Sequence, residues 1–213
     1  MPDGEIELRD GRTVGYADYG AAADKAVLWC HGGPGSRVEP QPVAEDASKA
    51  GFRLIGIDRP GYGRSTPQPG RTIADWTRDA LAVADHLRIE RFAAVGVSTG
   101  GAYALALAAQ APERVLGAVA CCALTDMRWG EGRAMMTGEL NAGIWNARDR
   151  DTAMKLAVAN LGADGSKMLT QQGPPLAPSD MALFADPAWL ASMGNGMREI
   201  GRASCRERVS RCV

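Results

Sequence analysis

The strongest constraint on the fold is a series of apolar runs that are continuous rather than alternating and are separated by segments of helical pattern. The runs cover residues 26–30, 53–57, 92–97 and 115–124. A strand that is covered on both faces has no polar side, so such runs are typical of buried parallel strands. The alternation of strand and helix predicts an α/β fold with a mostly parallel, doubly wound sheet, in which 115–124 is also buried.

Other local patterns complete this half of the chain. The dipeptide Asp10-Gly11 separates two short strand-like runs and predicts an antiparallel hairpin at the start. Helices are predicted at 43–50, 72–87 and 99–110. Thr72 with Asp75 three residues later is typical of a capping box, which indicates where the second of these helices begins.

The second half of the chain has a different character. Residues 128–199 contain no convincing strand, and helices are predicted at 131–145, 150–161 and 187–193, with a proline-rich loop at 172–178. We therefore predict a core at 1–125 and a helical cap at 126–198. The final segment, 199–213, resembles the peptide that one frame of a common sequencing adapter would encode, and we expect it to be non-native. The alternative is a genuine basic tail whose arginines contact phosphate.

Composition narrows the classes of partner. A formal net charge of -1 and a pI near 6.1 provide no field that would attract nucleic acid or an anionic membrane. No segment has the length and apolarity of a membrane span, and the N-terminus has no apolar signal region. These features predict a soluble cytoplasmic protein that binds a small-molecule substrate and uses no cofactor.

The five cysteines show neither a disulfide framework nor the spacing of a zinc site, and we predict no metal. Cys30, Cys121 and Cys122 fall within apolar runs, where a thiol behaves as a small apolar side chain. We expect these three to be reduced and buried in the core.

The pentapeptide Gly96-Val97-Ser98-Thr99-Gly100 joins a predicted strand to an alanine-rich helix. Glycines on both sides of Ser98 permit a sharp turn that places its hydroxyl at the helix N-terminus, which suits a nucleophile. A serine nucleophile needs an imidazole to take its proton and a carboxylate to orient that imidazole. The chain has only two histidines, His31 and His86, and both precede Ser98.

Three motifs each come directly after a predicted strand: His31-Gly32-Gly33-Pro34-Gly35-Ser36, the segment from Asp58 to Ser65, and the pentapeptide around Ser98. Together they resemble the motifs of the α/β-hydrolase superfamily. The resemblance implies a serine hydrolase that acts on an ester or amide through an acyl-enzyme at Ser98. It also implies that the amides of Gly33 and Thr99 form the oxyanion hole.

The remaining motif residues receive other roles in this resemblance. His31 is expected to be structural, because the order along the chain in this superfamily is serine, acid, histidine. Asp58 and Arg59 are expected to tie their loop down by hydrogen bonds. Asp126 is a possible catalytic acid, with a helix cap or loop residue as the alternative, and the histidine and the more usual acid position are expected beyond this chain.

Two other functions stay open at this point. The turn Gly32-Gly33-Pro34-Gly35 is also similar to that of proline iminopeptidases, although the residues beside Ser98 and the segment Asp58-Arg59-Pro60 depart from their pattern. A small-molecule-binding protein that keeps the hydrolase fold without turnover is the third possibility, since loss of a triad member removes most of the rate enhancement.

Overall fold

The computed structural model describes residues 3–20, 25–33, 35–124, 126, 129–134, 143, 146–161, 182, 185–191, 194–195 and 199. The chain divides into two compact units, one made of residues 1–123 and 183–213 and the other of residues 124–182. The first unit contains the sheet. The assignment of 126–198 as a cap stays a prediction.

Six strands form one sheet in the first unit, in the order β1-β2-β4-β3-β5-β6. They are β1 (Asp3–Glu7), β2 (Thr13–Asp18), β3 (Lys25–Cys30), β4 (Phe52–Ile57), β5 (Phe92–Val97) and β6 (Val115–Cys121). Strands β3 to β6 pair in parallel, whereas β2 pairs in antiparallel fashion with β1 on one side and with β4 on the other. This arrangement confirms the predicted α/β class and the hairpin at the start.

The described residues between β3 and β6 include three α-helices, α1 (Ala44–Lys49), α2 (Ile73–His86) and α3 (Gly100–Gln110). The capping box at the start of α2 is present, since the Asp75 amide donates to Thr72 Oγ1 and the Thr72 amide donates to the Asp75 carboxylate. The core beneath α2 and α3 centres on Trp76, which is fully buried and meets the Tyr103 ring edge-on at 5.2 Å. These contacts fix α3, and with it the turn that precedes this helix.

The expectation that 115–124 forms a buried strand was wrong in two respects. Strand β6 ends at Cys121, and it lies at the edge of the sheet, where every residue after Val115 is exposed. Leu116 and Val119 keep 61% and 53% of their surfaces accessible. A sequence pattern reports apolarity, but burial also requires a neighbouring strand on the outer side.

The same edge position corrects the expectation for the cysteines. Cys30 lies in the core as predicted, and burial raises the pKa of its thiol. Cys121 and Cys122 are exposed instead. All three are free thiols, as expected.

The helical half is described in part. Helix α4 (Gly130–Ala134) covers the beginning of the segment predicted at 131–145, and α5 (Arg150–Leu161) has the predicted bounds. Residues 187–191 are helical, and Asp186 Oδ1 accepts from the Ala188 amide at 2.8 Å, as expected of a cap. The predicted loop at 172–178 and residues 200–213 lie outside the described residues. In the described ranges no helix has the length and apolarity needed to cross a membrane.

Candidate active site

Ser98 occupies the turn between β5 and α3 with a backbone φ of +53°. This left-handed conformation costs a residue with a Cβ about 1–2 kcal/mol, so the surroundings must hold it. The Ser98 amide donates to the Cys121 carbonyl oxygen at 2.9 Å, and the Ser98 carbonyl oxygen accepts from the Gly101 amide at 3.1 Å. The turn is thus anchored to β6 on one side and to α3 on the other.

The two glycines of the pentapeptide are required by close approach of backbone to backbone. A Cβ on Gly96 would overlap the Gly100 carbonyl group, and a Cβ on Gly100 would overlap the carbonyl oxygen of Cys30 at the end of β3. Because only glycine avoids these overlaps, helix α3 can begin directly above the ends of the parallel strands. The spacing of glycines around Ser98 therefore has a steric cause.

The glycine-rich turn after β3 lies against the strand-to-helix turn at Ser98, which we call the elbow. A Cβ built on Gly32 would lie 3.6 Å from Ser98 Cβ, and one built on Gly33 would lie 3.1 Å from Thr99 Oγ1. Neither the Gly33 amide nor the Thr99 amide donates a hydrogen bond to any residue that the structure describes. The structure thus brings the three predicted residues Ser98, Gly33 and Thr99 together, with two backbone donors unused beside the serine.

His31 is a buried part of this turn and is bonded away from Ser98. Its Nε2 accepts from the Arg59 amide at 3.2 Å, which places the ring proton on Nδ1, and Nδ1 donates to the Gly32 carbonyl oxygen at 2.8 Å. Complete burial, with the positive charge of Arg59 nearby, lowers the pKa of His31 well below its usual value. A neutral imidazole with both nitrogens engaged is not positioned to deprotonate Ser98.

The second histidine, His86, also has a contact other than Ser98. His86 is exposed near the C-terminus of α2, where its ring centroid lies 6.0 Å from that of Tyr16. Neither described imidazole is therefore seen in contact with Ser98.

Asp58 is fully buried and organises the second motif. Its Oδ1 accepts from the Arg37 amide at 2.7 Å, and its Oδ2 accepts from the Arg64 amide at 2.9 Å and from Arg37 Nη1 at 3.2 Å. Burial raises the pKa of Asp58 to about 6, against the opposing effect of the Arg37 charge. The expectation that this residue ties the loop down is confirmed by these contacts.

Two further side chains hold the glycine turn. Arg59 was expected to tie down its own loop, and its Nη2 donates to the Gly32 carbonyl oxygen at 2.7 Å, which joins that loop to the glycine turn. Glu39 was not anticipated, and its carboxylate accepts from the Gly32 amide and from Trp29 Nε1, both at 2.9 Å. Burial raises the pKa of Glu39. The only sequence signal was a carboxylate amid apolar and proline residues shortly after the turn.

Asp126, the possible acid, belongs to the second compact unit and is exposed. Its carbonyl oxygen accepts from the Trp129 amide at 2.9 Å, just ahead of α4. A role as catalytic acid stays a prediction.

The α/β sheet and the elbow at Ser98 are together typical of the α/β-hydrolase class. Comparison with known proteins then identifies the family. The family model described as the alpha/beta hydrolase fold matches residues 25–142, more than half of the chain. The chain belongs to this family.

Among curated relatives, a bifunctional esterase/perhydrolase of Acinetobacter calcoaceticus is 32% identical over 99 residues, which are 46% of this chain and 36% of that protein. A protein named as a probable proline iminopeptidase of Leptolyngbya boryana is 34% identical over 111 residues, 50% of this chain and 34% of its own length. The chain therefore matches well under half the length of these curated relatives.

Solved structures show the same fold at lower identity. A carboxylesterase structure from Nitrososphaera gargenis aligns with a TM-score of 0.65 at 17% identity, covering 94% of this chain and 69% of that one. An epoxide hydrolase from Vigna radiata aligns with a TM-score of 0.63 at 18% identity, covering 98% and 73%. The family and its esterase-type and peptidase-type relatives support a hydrolase.

Proposed function

We propose that this chain carries the nucleophile and oxyanion hole of a serine hydrolase that cleaves an ester or amide through an acyl-enzyme at Ser98. The observation that supports the proposal most strongly is the left-handed backbone of Ser98, at a strand-to-helix turn beside two backbone amides that have no acceptor among the described residues. Backbone strain at such a position is costly, and strained residues are concentrated at active sites.

In the proposed reaction Ser98 Oγ forms a bond to the substrate carbonyl carbon while a histidine takes the hydroxyl proton. The electron pair of the carbonyl moves onto oxygen, where the amides of Gly33 and Thr99 receive the negative charge. The tetrahedral intermediate then collapses, and the leaving group departs with the proton from the imidazole. Water, deprotonated by the same histidine, attacks the acyl-enzyme and releases the acid and free Ser98.

The histidine of this scheme is proposed to come from outside the chain. The His31 imidazole of this chain is bonded within its turn, and the His86 imidazole is exposed on α2. The exposed edge of β6 is consistent with a sheet that continues beyond the strands present here. The chain by itself is accordingly expected to turn over substrate poorly, because the oxyanion hole and binding supply only a small part of the rate enhancement of a triad enzyme.

Labelling with a fluorophosphonate tests the nucleophile. In a protein that joins this chain to the histidine-bearing segment, the probe should modify Ser98, and Ser98→Ala should abolish labelling. Ser48→Ala is the matched control, since Ser48 is an exposed serine on α1. Labelling that survives Ser98→Ala would show that another residue is the nucleophile.

The second candidate is a proline iminopeptidase-like activity. It is favoured by the similarity to proteins named as probable proline iminopeptidases, from Leptolyngbya boryana and Streptomyces coelicolor. Hydrolysis of a proline arylamide at a rate comparable to that of short acyl esters would support this activity, and turnover of the esters alone would support an esterase. In the same assay, Asp126→Asn tests the proposed acid, whose loss should lower kcat by orders of magnitude.

A further inference from the structure

Arg59 contacts both segments that supply the unused amides. Its Nη2 donates to the Gly32 carbonyl oxygen at 2.7 Å, and its Nη1 donates to Thr99 Oγ1 at 3.2 Å. The two segments come from opposite sides of β5 in sequence, one after β3 and one after β5, and a single guanidinium joins them. We propose that Arg59 is a positioning residue that sets the geometry of the oxyanion hole.

Planarity of the peptide bond couples the Gly33 amide to the carbonyl that Arg59 contacts. The Gly32 carbonyl and the Gly33 amide belong to one rigid peptide unit, in which the C=O and N–H bonds point in opposite directions. A group that holds the carbonyl oxygen therefore also aims the amide hydrogen. Arg59 and His31 both donate to this oxygen, while Gly33 itself is exposed on the other side of the unit.

The positive charge of Arg59 also acts on this peptide unit. A hydrogen bond from a guanidinium polarises the carbonyl that accepts it, and the polarisation makes the N–H of the same peptide a stronger donor. Arg59 is only 3% exposed, so water screens this interaction little. The Gly33 amide is thus both aimed and strengthened before any substrate arrives.

Two aromatic rings hold the guanidinium of Arg59 in one orientation. Its Cζ lies 4.8 Å from the ring centroid of Tyr62 and 4.9 Å from that of Tyr103, so an aromatic ring flanks it from each of two elements. A planar cation that contacts aromatic faces and donates along a fixed fork has few alternative positions. The link to Thr99 then couples the glycine turn to the start of α3.

This inference rests on the proposed function, and its test compares the buried Arg59 with the partly buried Arg53. Arg59→Met removes the link, whereas Arg53→Met removes an ion-paired arginine at the other end of β4, where Arg53 Nη2 donates to Asp18 at 2.6 Å. In the active protein that includes this chain, Arg59→Met should lower kcat for an ester by about 10- to 100-fold, less than the loss of a whole donor, with KM within threefold. Arg53→Met should keep both constants within threefold.

A second readout does not depend on turnover. The amide resonances of Gly33 and Thr99 should shift in Arg59→Met and stay in place in Arg53→Met. Should Arg59→Met fail to fold, Thr99→Val keeps the Thr99 amide but removes the hydroxyl that Arg59 contacts, and it should lower kcat several-fold at unchanged KM.

The outcomes separate the two proposals. Ester hydrolysis that depends on Ser98 but is equally fast in Arg59→Met, with unmoved Gly33 and Thr99 resonances, would overturn the role of Arg59 and leave the serine hydrolase intact. Loss of Arg59 that raises only KM would also overturn it, because a misaligned oxyanion hole acts on the transition state. Absence of Ser98-dependent hydrolysis in the unmodified protein would instead defeat the proposed function.

Discussion

Replacing Ser98 by glycine should leave the protein more stable than replacing it by alanine, although both changes remove the proposed nucleophile. With φ at +53°, a residue that has a Cβ is strained by about 1–2 kcal/mol, and glycine is not. Glycine also loses more conformational freedom on folding, which costs about 0.5–1 kcal/mol. The balance predicts that Ser98→Gly has a free energy of unfolding about 0.5–1 kcal/mol higher than Ser98→Ala, since both variants lack the hydroxyl.

The neighbouring residue provides a control of opposite sign. Thr99 has φ of -59° and ψ of -26°, an ordinary right-handed conformation, so glycine there brings no relief of strain. Thr99→Gly should therefore be less stable than Thr99→Ala by about 0.5–1 kcal/mol. Both of these variants lose the contact with Arg59, so their difference isolates the backbone effect.

Urea denaturation followed by circular dichroism measures all four variants under one condition. A third pair tests the generality of the argument, because the exposed Arg88 also has a positive φ, of +56°, and Arg88→Gly should exceed Arg88→Ala in stability. The reasoning is refuted if Ser98→Gly is no more stable than Ser98→Ala, or if the Ser98 and Thr99 pairs change in the same direction.

Three further perturbations follow from buried and exposed groups. Because the pKa of folded His31 lies well below 6.5, the unfolded chain binds a proton below pH 6.5 that the folded chain does not. The neutral His31 imidazole therefore contributes stability that is complete above pH 6.5 and falls with the pH, by at most about 1.4 kcal/mol per pH unit. In urea denaturation at pH 7, 6 and 5, His31→Asn should abolish this pH dependence, and His86→Asn, at an exposed site, should retain it. Asp58→Asn should lower the free energy of unfolding by about 2–4 kcal/mol in the same assay, because an amide nitrogen would face donors from Arg37 and Arg64, and an unchanged value would contradict the buried geometry. Val119→Lys places a charge on the exposed edge strand β6, where unpaired backbone groups can pair with a second copy of the chain. It should reduce self-association in light scattering while changing stability by less than about 0.5 kcal/mol. Association equal to that of the unmodified protein would argue against this edge as the associating surface.

The order of the elements in the sheet unit was predictable because their signals are local. Strands β3, β4 and β5 begin within one residue of the predicted runs, and α2 begins after the capping box that its sequence indicated. An apolar run flanked by turn residues needs no partner to be recognised. The apolar pattern of β6 did not by itself predict its exposure, since exposure depends on which strands lie beside it.

The residues of the candidate site likewise differ in whether the sequence predicted their roles. The elbow at Ser98 was foreseen because glycine spacing and the change from strand to helix are contiguous in the chain. The carboxylate of Glu39 and the bridge from Arg59 to Thr99 were not, because they join residues 7 and 40 positions apart whose loops meet only at the ends of parallel strands.

The amino-acid sequence by itself determined that the chain turns sharply at Ser98 and that its two imidazoles both precede this residue. Steric exclusion at a glycine and the identity of a side chain are properties of a few consecutive residues. Only the tertiary structure decided that His31 is neutral and bonded within its turn, that Arg59 holds two distant amide-bearing segments, and that Cys121 lies at an open edge. Hydrogen-bond partners, burial and pKa depend on which segments the folded sheet brings together, and no local pattern encodes that.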